Sequence, residues 1–219
     1  MKRIPSPNFD ERTPGTPVDM LVLHYTGMVS ADVALERMCD PQSKVSAHYM
    51  IDEDGSVTQL VEEDYRAWHA GVSYWAGNRD INARSIGIEL VNPGHENGYR
   101  PFPEEQMRTL ETLSMDIVRR HMIPARNVVG HSDIAPNRKE DPGELFDWFR
   151  LFDFGVGIWP MDAEPVEVDE EHAELMLEDI GYEVTSLQKS LEAFQRHFRP
   201  QILGGKLDAE IGGMLKALQ

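Results

Sequence analysis

Apolar positions follow two different rhythms along this 219-residue chain, and the change falls near residue 160. Before it, "VDMLVLHY" (18–25) and "RSIGIELVN" (84–92) are short, nearly unbroken apolar runs, the pattern of buried strands. "AHYMIDEDGSVTQLV" (47–61) sets two β-prone runs around Asp54-Gly55, a hairpin signal. "RNVVGHSDI" (126–134) predicts another short strand. Helical spacing separates these runs. "SADVALERMC" (30–39) has Ser30 as a cap and ends at Asp40-Pro41. "PEEQMRTLETLSMDIVRRHM" (103–122) carries acids in its first turn, a stripe through Met107, Leu110, Ser114, Ile117 and Val118, and Arg119-Arg120 at its end. Strands alternating with helices predict an α/β fold, a central mixed β-sheet flanked by helices.

After residue 160 the pattern is helical only. Residues 162 to 183 hold ten acids and no Lys or Arg, a composition shift that marks a boundary. Three amphipathic segments follow: 171–182, 185–198 and 207–218. The second places Leu187, Leu191, Phe194 and Phe198 on one stripe. The expected organisation is a main domain over 1–161, an acidic linker over 162–170 and a small all-α domain over 171–219. Three short helices make a core that is marginal alone, so docking on the main domain is expected.

Composition narrows the function. Apolar content of 41% and charged content of 27% are those of an ordinary globular protein. No apolar run approaches the roughly 18 residues of a membrane span. "MKRIPSPNFDERTPGTP" has no apolar stretch behind its early basic residues, so no secretory signal is read there. A cytoplasmic protein is expected, or a periplasmic or envelope one if a leader has been removed. A formal charge of −17 speaks against nucleic acid and anionic membrane surfaces as partners. Cys39 is the only cysteine, which rules out an intramolecular disulfide and leaves any metal to histidine and carboxylate.

The candidate chemistry starts at "VVGHSDIAPNRKEDPG" (128–143), where His131 and Asp141 lie on a segment bent by Pro136 and Pro142-Gly143. Catalytic zinc sites use three protein ligands and leave one position open. His24, closing the run "MLVLHY", is the candidate third ligand, because the C-terminal end of a central strand opens on the crevice where such sheets hold ligands. The alternative is a satisfied core histidine. Glu89 interrupts "SIGIELV": on an edge strand it would meet water, and in a buried one it would be a general base. Lys139, two residues before Asp141, is either a solvated loop lysine or an ammonium set where an oxyanion forms.

Taken together, "VLHYTG", "SAHYMID", "AWHAGVSYW", "SIGIELVN" and "GHSDIAPNRKEDPG" resemble the type 2 N-acetylmuramoyl-L-alanine amidases, in the superfamily of the peptidoglycan recognition proteins. The resemblance covers about residues 15 to 160, with the motifs in order. It implies that His24, His131 and Asp141 bind Zn²⁺, that Glu89 accepts the proton and that Lys139 stabilises the transition state. The implied reaction cuts the amide between the lactyl group of N-acetylmuramic acid and L-alanine in muropeptides. A cytoplasmic enzyme would act on 1,6-anhydro fragments in recycling; an envelope enzyme would act on intact wall; a recognition module would bind without cutting. His48, Trp68 and His69 match motifs that line the groove, each being either groove wall or core. Arg79 and Arg84 are candidates to pair with carboxylates of the peptide stem. His95, His121, His172 and His197 fall outside every motif and are expected at the surface. The C-terminal segment resembles three-helix peptidoglycan-binding modules, which leaves glycan binding and docking both open.

Overall fold

The structure, a computed structural model, describes residues 1–219. In chain order its elements are β1 (Lys2–Arg3), β2 (Phe9–Glu11), β3 (Met20–Tyr25), α1 (Ala31–Cys39), β4 (Tyr49–Ile51), β5 (Val57–Gln59), β6 (Tyr65–Ala67), α2 (Ile81–Arg84), β7 (Ser85–Leu90), α3 (Gly94–Asn97), α4 (Glu104–His121), β8 (Val128–Gly130), α5 (His131–Ile134), α6 (Trp148–Asp153), α7 (Glu170–Ile180), α8 (Leu187–Phe198) and α9 (Ala209–Ala217). Six strands form the central sheet in the order β1-β5-β4-β7-β3-β8. Only β4 and β5 run antiparallel, as the hairpin signal requires; the other neighbours are parallel. The sheet is mixed, as the alternation of elements predicts.

Side chains alternate across a strand, so β3 sorts its residues onto two faces. Leu21 and Leu23 join Ile86, Ile88 and Leu90 in a core covered by α4 through Met107, Leu110 and Ile117. Met20 and Val22 face the other way, into a second core. That second core also holds Val129 and Trp75, and Leu177 of α7, Leu191, Phe194 and Phe198 of α8, and Ile211 and Leu215 of α9. The C-terminal helices therefore share a continuous apolar core with the sheet. Segment 162–170 follows α9: the Val166 N–H donates to Ala209 O (2.8 Å), and a Cβ on Gly212 or Gly213 would strike the carbonyl of Val166 or Glu164.

Caps set the helix starts. Ser30, Asp169, Ser186 and Asp208 each accept a backbone N–H from the first turn of α1, α7, α8 and α9, the bond an N-cap supplies. One prediction shifts. The strand expected over 126–134 stops at Gly130, and His131 opens the helical turn α5. The cause is Asp133, whose carboxylate accepts the Gly130 N–H (2.7 Å) and bends the chain. No helix is long and apolar enough to cross a membrane.

Candidate active site

Parallel pairing of β3 with β7 sets His24 opposite Glu89, Val22 opposite Gly87 and Met20 opposite Ser85. Residues in register share a face, so Ser85, Gly87 and Glu89 line up beside His24 on the side away from α4. β7 lies between β3 and β4, which removes the edge-strand reading of Glu89.

Three donor atoms meet at the end of β3. His24 Nδ1 lies 3.0 Å from His131 Nδ1 and 3.0 Å from Asp141 Oδ2, and His131 Nδ1 lies 3.1 Å from the same oxygen. All three residues are buried. The surrounding hydrogen bonds assign the imidazole tautomers. Ser85 spends its one hydroxyl proton on Ile81 O (2.7 Å), so at 3.1 Å from His69 Nε2 its oxygen must accept. His69 then carries its proton on Nε2 and presents a bare Nδ1 to His24 Nε2, 3.0 Å away. That leaves His24 Nδ1 without a proton. His131 Nε2 donates to Ala70 O (3.0 Å), which bares His131 Nδ1 in turn. Two nitrogen lone pairs and a carboxylate oxygen thus face one another with no proton between them. Such a group is repulsive unless a cation lies among them, and the donor set fits a metal with three protein ligands.

Protonation agrees with this arrangement. Burial, only partly offset by Asp141, pushes His24 down to about 4. Burial also drives His69 well below its ordinary value, helped by the neighbouring imidazoles. Burial alone would raise Asp141, but the two imidazoles outweigh it and hold the carboxyl well below the usual carboxylate range. Glu89 goes the other way: burial first, and the Asp141 charge second, raise it well above the usual range, with Lys139 opposing. Its Oε2 is sealed from solvent and has no hydrogen-bond partner. Lys139 also counts among the charges that lower His24.

A groove of about 630 Å³ opens over these groups, lined by His24, Glu89, His131, Lys139 and Asp141. His69 reaches it too, and with Trp68 lines an adjoining cleft of about 610 Å³. His69 sits over Gly87, where a Cβ would come 2.5 Å from the imidazole Cγ, so only glycine leaves room for it. The structure does not bring His48, Arg79 or Arg84 to the groove. His48 is fully buried, accepting the Gly87 N–H (2.9 Å) and touching Arg12, because its strand end turns inward under β7. Arg79 pairs with Glu183 of the C-terminal region and Arg84 with Asp19, and neither lines the groove.

The surface expectation fails for one further histidine, His197. His95 is exposed as expected and also lines the groove, held by Tyr25 OH (2.8 Å) and Glu144 (3.0 Å). His197 is buried in α8 with Nδ1 2.8 Å from Asp133 Oδ2, because α8 packs on α5. His121 meets Glu63 and is partly covered, while His172 is exposed. Sequence reasoning also passed over Ser85 and Asp133. Asp133 had a signal, a lone carboxylate after the apolar run "VVG"; Ser85 had none, since its role depends on where His69 lands.

Residues 14–144 match the family model described as N-acetylmuramoyl-L-alanine amidase. The N-acetylmuramoyl-L-alanine amidase AmiD of Escherichia coli is 37% identical, over 92% of this chain and 82% of its own length. The 1,6-anhydro-N-acetylmuramyl-L-alanine amidase AmpD of Haemophilus influenzae is 36% identical, over 68% of this chain and 89% of its own. The structure of E. coli AmiD with anhydro-N-acetylmuramic acid-L-Ala-D-γ-Glu-L-Lys superposes with a TM-score of 0.83 at 33% identity, covering 96% of each chain.

Proposed function

The chain belongs to the N-acetylmuramoyl-L-alanine amidase family, and from that premise we propose that it hydrolyses muropeptides in peptidoglycan recycling. The bond cut joins the lactyl group of N-acetylmuramic acid, in its 1,6-anhydro form, to L-alanine. The observation that carries this reading is Glu89: a half-buried carboxyl on the groove, its Oε2 sealed and unpartnered, in register with His24 and beside three converging donors.

His24, His131 and Asp141 would hold zinc, the divalent ion suited to two imidazoles and one carboxylate with a position left open. When bound, zinc supplies a Lewis acid at the scissile carbonyl and makes water a stronger nucleophile near neutral pH. Glu89 takes the proton from the attacking water and passes it to the leaving alanine nitrogen. Its raised proton affinity suits a group that must accept a proton and return it. The Lys139 ammonium holds the charge that develops on the carbonyl oxygen. His69 and Trp68 wall the site, with His69 also fixing the His24 ring.

The test sets soluble anhydro-muropeptide against intact sacculi with the zinc-loaded protein. Rapid release of peptide with a free alanine amine from the soluble substrate, and slow release from sacculi, is expected. Comparable release from sacculi would make it an envelope autolysin, and bound zinc with no release would make it a recognition module. Action on soluble fragments goes with a cytoplasmic location, so recovery in the envelope fraction of fractionated cells would count for the autolysin.

A further inference from the structure

The groove does not end at the sheet. Lys189, Glu192 and Arg196 of α8 line it together with the donor cluster. These positions are three and four residues apart, one stripe of a helix, while Leu191, Phe194 and Phe198 turn into the core. The stripe is held in place relative to the site: Tyr182 OH donates to Asp133 Oδ1 (2.6 Å), and His197 meets Asp133 Oδ2 (2.8 Å). That second oxygen also fixes Gly130, the residue before His131.

Arg196 is the anomaly in the stripe. It is only 8% exposed, yet its one side-chain hydrogen bond goes to Glu140 (3.0 Å), and its Nε is buried without a partner. A guanidinium has five N–H donors, and a desolvated one short of acceptors is costly. Arg199, three residues on, shows the satisfied case, paired with both Asp208 and Glu210. Lys189, about half exposed, shares its charge with Glu192 (2.8 Å) and keeps donors free at the groove's open side. Arg37, Arg138 and Lys139 face the same groove, where they and the α8 cations are balanced by Glu89, Glu96, Glu140, Asp141 and Glu192, in a chain whose formal charge is −17.

We infer that α8 supplies a carboxylate-binding subsite of the groove, in which Arg196 and Lys189 take the carboxylates of the peptide stem beyond L-alanine. The inference rests on the muropeptide reading above. In a stem of the L-Ala-γ-D-Glu-L-Lys kind the glutamate is linked through its side chain, which leaves its main-chain carboxylate free; a second carboxylate ends the peptide. Arg196 offers the paired donors that a carboxylate matches, and Lys189 a point charge nearer solvent. The C-terminal helices then act as part of the substrate site rather than as a separate wall anchor.

Equilibrium binding to the zinc-loaded Glu89→Gln protein tests this without turnover. The ligands are the anhydro-muramyl tripeptide with both stem carboxylates free and the same molecule with both amidated. The acid form should bind about tenfold tighter or more, the scale of a charge-assisted hydrogen bond. Adding Arg196→Gln should lower the preference to near one, and Arg196→Lys should restore part of it. Lys189→Gln, at a half-exposed position, should reduce the preference by a smaller factor and keeps the test decisive if Arg196→Gln does not fold. Equal binding of both forms to the Glu89→Gln protein, or equal weakening of both by Arg196→Gln and by Lys189→Gln, overturns the subsite. Failure of the parent protein to cleave either form would instead strike the amidase reading, and leaves the binding preference to be read by itself.

Discussion

A neutral imidazole has one lone pair to give and one proton to place, and at His24 the choice is made two residues away. The Ser85 hydroxyl is committed to Ile81 O, His69 is committed to Ser85, and His24 is left with a bare Nδ1 facing His131 and Asp141. Ser85→Ala removes the acceptor that fixes His69 and should weaken zinc binding by about 10–100-fold, the usual scale for losing an outer partner of a metal ligand. Competition with a chelator measures this; unchanged affinity in a folded variant would show that His24 needs no such guidance. Glu89→Gln should do the reverse, keeping zinc while lowering kcat about 10²–10⁴-fold, the range a general base contributes. Metal content and kcat measured on one preparation separate the two effects, and near-normal turnover would mean another group moves the proton.

At the scale of elements, the strands and helices were legible because local patterning and packing agree. β3 and β7 are nearly unbroken apolar runs up to His24 and Glu89 because both faces are covered, and α4 shows a clean stripe because it covers one of them. The three converging donors were legible through the motif residues themselves. What could not be read is whatever depends on a distant element. His131 begins a turn because Asp133 pulls back on Gly130, and His48 turns inward because Arg12, from the N-terminal segment, fills the space beneath it. Arg12 donates to the carbonyls of Glu63, Asn82, Ala83 and Ser85, tying that segment under the start of β7. His48 gives this strand end a pH dependence. Burial, with the Arg12 charge, lowers it from 6.5 to about 3. Between those values the unfolded chain binds a proton that the folded protein refuses, so this contribution to stability is present above about 6.5 and lost as pH falls toward 3. His48→Gln should therefore shrink the drop in Tm between pH 7 and pH 4.5 in thermal melts, and an unchanged drop would place the acid sensitivity elsewhere. Gly87→Ala acts through the same strand: its methyl would displace the His69 ring, and both Tm and zinc affinity should fall.

For the whole molecule, the question is whether the C-terminal helices are an appendage or part of the fold. The sheet face that carries His24 is closed by them: Met20, Val22, Val129 and Trp75 lie in one buried cluster with side chains of α7, α8 and α9. Removing residues 171–219 would expose that face, and an apolar patch of this kind invites unfolding or association. The shortened chain should lose cooperative melting or precipitate, although the region matching the family model ends at residue 144. A soluble fragment with an unchanged Tm would show that the shared core adds nothing. A finer change probes the polar tie inside that core. Tyr182→Phe deletes the bond from the phenol to the buried Asp133 carboxylate and leaves the ring packed against Trp75. A hydrogen bond to a charged group is worth about 1.5–3 kcal/mol, so the loss should appear as a lower denaturation midpoint with an unchanged m-value. Because Asp133 also holds Gly130 beside His131, the same variant should release zinc faster than the parent in a chelator chase. Lower stability with zinc release unaltered would mean that the helices support the fold and leave the metal-binding loop to itself.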